Sequence, residues 1–211
     1  MAEILITLGI IGIVAALTMP SLIQHYRNKV VETRLQRFYS TMNQAISLAE
    51  IDYGDRADWF NTNDVDFDKN GNVIEGSHPK EKWAKKYILP YIKTTNMIEA
   101  DKWGQVMIYF ADGSSVYIAT DLADWAFRPG GKCTKGRGVC EFMFNYTPTG
   151  YGEQMKKHAG QRFEPYKFGW NGTLSHLESD CKNNQYHLFC TALIQYNGWK
   201  IPKNYPFKVS Y

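Results

Sequence analysis

The stretch that decides the fold is Glu3-Ile4-Leu5-Ile6-Thr7-Leu8-Gly9-Ile10-Ile11-Gly12-Ile13-Val14-Ala15-Ala16-Leu17-Thr18-Met19-Pro20-Ser21-Leu22-Ile23. Between Glu3 and His25 it carries no charged side chain. Twenty residues at the helical rise span about 30 Å, the thickness of a bilayer's hydrocarbon core, so Ile4 to Ile23 can cross a membrane. A cleavable secretory signal fits this stretch poorly. Its flank is acidic rather than basic, and Val14 to Thr18 offers no convincing small-x-small cleavage site. A plain membrane anchor explains the length but not three internal features. A carboxylate at the mouth of an apolar helix is costly unless paired. Pro20 removes the backbone donor that would meet the Ala16 carbonyl. Gly9 and Gly12 weaken the helix further. Such a helix suits packing among other helices, which can cover the exposed backbone, better than standing alone in lipid.

Beyond Ile23 the chain turns polar. Leu22, Ile23, Tyr26, Val30, Phe38, Met42, Ala45, Ile46 and Ala49 recur mostly at three- or four-residue intervals, which predicts an amphipathic helix continuing to about Gly54. Its opposite face is expected to carry Arg27, Glu32, Arg34 and Gln36. The organisation expected is therefore a helix over residues 1–54, apolar over 1–24 and amphipathic over 25–54, followed by a globular head over 55–211.

The stretch from Glu3 to Ala16 followed by Pro20 resembles the N-terminus of mature type IV pilins and of type II secretion pseudopilins. The stretch from Cys190 to Ile194, with Asn197-Gly198-Trp199-Lys200-Ile201-Pro202 and Tyr205-Pro206, also looks like the end of a pilin-like subgroup. The resemblance implies an α+β pilin fold, with a long helical spine packed on an antiparallel sheet. It implies a structural, non-enzymatic subunit, held in the bacterial inner membrane before assembly and then built by a pilus or type II secretion machinery into a homo-oligomeric extracellular filament. It further implies removal of a basic leader, methylation of the new terminus, and pairing of Glu3 with a neighbouring subunit's terminal amine. Gly9, Gly12 and Pro20 join Glu3 as expected assembly residues. In the family the glutamate is the fifth mature residue and the proline lies 17 positions on; here the interval is the same but the glutamate is third, so two residues are expected to precede Met1. Arg27, Lys29, Arg34 and Arg37 would by themselves favour a cytoplasmic head. A basic leader would reverse that bias.

Four cysteines fall as two close pairs, Cys133 with Cys140 and Cys181 with Cys190. Neither pair has the C-x-x-C spacing of redox motifs. Two local disulfides are expected, which places the head in an oxidising compartment. The alternative is a tetrahedral zinc site from His176, Cys181, His187 and Cys190.

Asp66-Phe67-Asp68-Lys69-Asn70-Gly71-Asn72-Val73 matches the first half of a calcium loop, with alternating oxygen ligands and a glycine at the bend. The twelfth position is Ser77, and Glu75 comes two residues early. Two readings stand: a Ca2+ site using Asp66, Asp68, Asn70, Asn72 and Glu75, and an Asx-rich surface turn.

Pro79 to Tyr87 is predicted to be a short helix within an otherwise loop-rich segment from Asp55 to Ile98, with Glu81, Lys82, Lys85 and Lys86 on its solvated side. Strands are expected at Gln105–Phe110 and Ser115–Ala119 around Asp112-Gly113, at Glu141–Tyr146, and over residues 190–200 around Asn197-Gly198. The six tryptophans, Trp59, Trp83, Trp103, Trp125, Trp170 and Trp199, are expected in the core, the other reading being a sugar-binding surface on a membrane-anchored adhesive protein. A net charge of +3 is too mild for a dedicated nucleic-acid binder, and the basic clusters Lys80/Lys82/Lys85/Lys86 and Lys132/Lys135/Arg137 read as solvated surface. Asn145-Tyr146-Thr147 and Asn171-Gly172-Thr173 match the N-glycosylation sequon. Motifs for serine hydrolases, zinc proteases and phosphate loops are absent, as is the C-x-x-C-H of haem attachment.

Overall fold

The computed structural model describes residues 2–59, 68–70, 74, 79–100, 105–119, 122–130, 133–146 and 163–211; for Ala2, Glu3, Leu5, Ile6 and residues 96–100 the backbone alone is described. Helix α1 runs unbroken from Ala2 to Tyr53, about 78 Å at the helical rise. It stops at Gly54, whose φ of +81° fits a left-handed helix end. The Gly54 carbonyl then accepts from the Trp59 indole at 3.1 Å.

The buried stripe of α1 is Val31, Leu35, Phe38, Met42, Ala45, Ile46 and Ala49. Its steps of four and three keep one face of the helix turned to the head. The stripe starts later than the periodicity suggested: Leu22, Ile23 and Tyr26 are exposed. Two residues expected on the solvated face are covered instead, Glu32 buried and Arg34 half-buried. Polar type misled here, because each of these side chains has a partner on the head.

That face lies on a single antiparallel sheet whose strand order is its sequence order: β1 (Thr94–Ala100), β2 (Val106–Phe110), β3 (Ser115–Ile118), β4 (Asp124–Arg128), β5 (Phe142–Tyr146) and β6 (Phe163–Pro165). The fold is thus α+β, a long helix packed on an antiparallel sheet. Phe38 stacks on Phe127 at 4.1 Å between ring centroids and meets Phe144 and Phe163 edge-on at 5.0 and 5.5 Å. The β2–β3 turn uses Gly113 at φ +81°, and Asp112 Oδ1 accepts from the Ser114 amide and hydroxyl at 3.0 and 2.6 Å. At β6, Asn43 imitates a strand: its amide donates to the Phe163 carbonyl at 2.9 Å and its oxygen accepts from the Phe163 amide at 3.2 Å.

Helix α2 (Pro79–Tyr87) matches its expected bounds, but its polar side is not all solvated. Lys80 and Glu81 are buried, and Glu81 pairs with Lys85 at 2.5 Å. The segment expected to be loop-rich up to Ile98 includes most of β1. Residues 190–200 form no strand. Helix α4 (Cys190–Tyr196) stands there, after α3 (Leu174–Asn183). Gly198 N donates to Gln195 O at 2.9 Å and Trp199 N to Ile194 O at 2.9 Å, the paired bonds of a Schellman helix end. Asn-Gly tolerates positive φ, and that property ends a helix as readily as it turns a hairpin. Trp59, Trp83 and Trp125 are buried, Trp199 packs at the core's margin, and Trp103 lies outside the described residues.

Candidate assembly site

The lower half of α1 has the geometry of a surface awaiting cover. Ile4, Leu8, Ile10, Ile11, Ile13, Val14, Leu17, Met19, Leu22 and Ile23 are all at least half exposed. This is the one helix, among the described residues, long and apolar enough to cross a membrane, and its apolar window lies wholly uncovered by the head. A side chain added at Gly9 or Gly12 would meet nothing within 4 Å, so these glycines leave flat places on an open helix rather than accommodating a neighbour within the chain. The helix continues through Pro20. Just before it, the Thr18 hydroxyl donates to the Val14 carbonyl at 2.9 Å, the back-bonding that accompanies bends in apolar helices. The Glu3 side chain lies outside the described residues.

Where the apolar half ends, the C-terminal tail clamps the helix. Gln24 Nε2 donates to the Val209 carbonyl at 3.1 Å and to Asn28 Oδ1 at 2.8 Å. Eight residues on, Glu32 accepts from the Ile201 amide at 3.0 Å and from Lys200 Nζ at 3.1 Å. Arg34 then donates to the carbonyls of Pro129 and Asp112, and its guanidinium lies over the Tyr211 ring, 5.3 Å from the centroid. Burial pushes the Asp112 carboxyl up, but the Ser114 hydroxyl and amide, with Arg34 and Arg37, outweigh it and hold the group below the usual carboxylate range. None of these clamps is legible in the sequence, where Glu32 and Arg34 read as part of the helix's solvated face.

Both disulfides sit beside the tail. The structure joins Cys133 to Cys140 and Cys181 to Cys190. The zinc alternative is thereby removed, since sulfurs bonded to each other are not thiolate ligands. His187 and His176 are occupied elsewhere: the His187 Nδ1 lies 2.8 Å from the Cys181 carbonyl, and His176 Nδ1 accepts from the Asn171 amide at 3.2 Å. Gly138 is wedged against the second disulfide, where a Cβ would come within 2.8 Å of Cys190 Sγ. The Gly138 carbonyl accepts from the Tyr205 hydroxyl at 2.7 Å. Burial raises that hydroxyl far above its ordinary pKa, so it stays a donor.

The residues read as a calcium loop come together only in part. Asn70 N donates to Asp68 Oδ1 at 2.8 Å, an Asx turn; Asp66, Asn72 and Glu75 lie outside the described residues. Among the described residues no group of three or more acidic, histidine or cysteine side chains is placed to hold a metal. The sequon residues are engaged structurally. Thr173 caps α3 by accepting from the His176 amide while its hydroxyl donates to Asn171, and Asn145 is buried in β5 with its amide donating to Asp124.

A profile of a family of unknown function, DUF6613, matches residues 21–209. The chain belongs to the DUF6613 family. No curated protein and no solved structure matches it. The DUF6613 match takes in the clamps from Gln24 to Arg34, the sheet and both disulfides, while the apolar half of α1 lies almost entirely before it.

Proposed function

We propose that this chain is a structural subunit of an extracellular type IV pilus-like filament, held in the bacterial inner membrane by the lower half of α1 before assembly and packed helix against helix afterwards. One observation carries the reading. A single rigid helix is core in its upper half and wholly uncovered in its lower half, where ten large apolar side chains face outward. Covering those ten, which are 50–76% exposed, is worth roughly 10–20 kcal/mol before ordering costs, comparable with the whole net stability of a folded domain. The uncovered half therefore needs a bilayer or other helices around it. Its resemblance to pilin N-termini, the flat places at Gly9 and Gly12, and Pro20 all favour other helices as the final environment. Disulfide-bonded cysteines support a head outside the cytoplasm.

The deciding experiment is Glu3→Ala in the full-length protein, followed by shearing of the cell surface. The expected result is an unchanged amount of membrane-held protein and a sheared filament fraction reduced about tenfold or more, because the carboxylate's pairing partner is on a neighbour. Normal filament yield from that variant sinks the pairing role. A wild-type chain present in membranes and never in sheared material sinks the filament itself.

A further inference from the structure

The basic residues at the end of the head nearest the apolar segment belong to three separate parts of the sequence that the fold brings together. His25, Arg27 and Lys29 follow Ile23 directly on α1, and all three are exposed. Val209, held to Gln24 at 3.1 Å, places exposed Lys208 beside them. Ser210 N donates to Val139 O at 2.9 Å, which brings in the first disulfide loop with exposed Lys135 and half-exposed Arg137. Between that loop, Tyr186–His187 and Phe207 lies a crevice of about 300 Å³.

Charge balance in this region is one-sided. The acidic groups on the elements around it all have partners: Glu32 accepts from Lys200 and Ile201, Glu141 pairs with Arg128 at 2.8 Å and Arg137 at 3.6 Å, Asp180 accepts from Asn184 and the Phe189 amide, and Glu178 accepts from Asn204. Arg27, Lys29, Lys135 and Lys208 make no ion pair among the described residues. Solvated cations spread over a disulfide-fixed surface attract anions within a Debye length. Tyr26, 62% exposed at the same level, is the amphipathic ring that favours a membrane–water boundary.

We infer that this surface docks the head onto the phosphate groups of anionic phospholipids. The inference rests on the reading above, that the lower half of α1 occupies a bilayer before assembly. A helix crossing the membrane up to Ile23 sets residues 25–29 at headgroup level, and the fold sets Lys208 and Lys135 alongside. The crevice below Tyr186, with Lys135 and Arg137 at its rim, is open to a single phosphate. Docking of this kind orients the head relative to the bilayer, and assembly into a filament releases it.

The test uses the full-length chain reconstituted into vesicles of phosphatidylcholine alone or with about 30% phosphatidylglycerol, each doped with a photoactivatable headgroup probe of matching charge, and recovered by flotation. The expected result is labelling of peptides 133–140 and 203–211 about tenfold higher with the anionic probe, with residues 91–95 unlabelled as an internal control. Combining R27E, K135E and K208E, or raising salt to about 0.5 M on the unaltered chain, removes that excess. The salt arm needs no variant to fold. Equal labelling by both probes in floated vesicles overturns the docking and leaves the membrane reading intact. Failure to float with either lipid overturns both. Displacement of the labelling by a short DNA duplex at equal phosphate concentration assigns the surface to nucleic acid instead and overturns the headgroup assignment.

Discussion

The two halves of α1 share one continuous backbone, yet they live under opposite conditions. From Val31 to Ala49 the stripe is sealed by Phe127, Phe144 and Phe163; from Ile4 to Ile23 every large apolar side chain described is open. What separates them is how the apolar groups are spaced: a stripe of steps of four and three fits one sheet, whereas apolar groups all round the helix fit only an environment that surrounds it.

The sharpest way to break the comparison is to truncate one apolar side chain in each half. Phe38→Ala removes the ring at the centre of the aromatic contacts and should cost about 3–5 kcal/mol of head stability. Leu8→Ala should leave the same melting curve within about 0.5 kcal/mol, while lowering filament yield. Thermal unfolding of the detergent-solubilised full chain, followed by near-UV circular dichroism, reads both. If Leu8→Ala lowered the melting temperature as Phe38→Ala does, the lower half would belong to the head's own core.

A second variant probes the boundary between the halves. Glu32→Ala strands the Ile201 amide, and charge-assisted bonds of this kind are worth about 1.5–3 kcal/mol. The expected loss lies in that range, together with faster hydrogen exchange over residues 199–211. Glu32→Gln, which keeps an acceptor for the amide, should recover part of it.

The smallest effect concerns acid. Asp112 has its folded pKa lowered from 3.8, so the native state binds fewer protons than the unfolded chain just below that value. Its contribution is complete above pH 3.8 and is lost as pH falls through the lower folded value. Asp112→Asn should flatten the acid limb of the melting temperature against pH, by less than about 1 kcal/mol because Arg37, its ion-pair partner at 3.9 Å, is largely exposed. An unchanged acid limb would mean that Arg34 holds the turn through backbone carbonyls alone.

Much of the architecture was readable from local chemistry. The helix to Gly54, the Pro79 helix and the Asp112-Gly113 hairpin each follow from a periodicity or a residue with special backbone freedom. Strands β1, β4 and β6 were not readable. Asp124–Arg128 is short and mixed in type, and β6 is three residues whose partner on one side is the Asn43 side chain, 120 residues away. The same limit hid the clamps at Glu32 and Arg34. Their polar type predicts solvent, and only contacts 169 and 95 residues distant reverse that prediction. Asn197-Gly198 failed for another reason: one local property serves two different endings.

The strictly sequential strand order has a consequence for how the head is made. Each strand pairs with the one before it, so the sheet can grow in step with a chain that emerges residue by residue, one pairing at a time. The spine cannot be finished in that way. Glu32 and Gln24 wait for Ile201 and Val209, 169 and 185 residues further along. A nascent chain therefore carries the Glu32 carboxylate without its partners until Ile201 has been made, and a chain truncated before that point carries it permanently. The segment from Lys200 to Val209 thus acts as a completion mark for the spine, telling chains made past that point from shorter fragments.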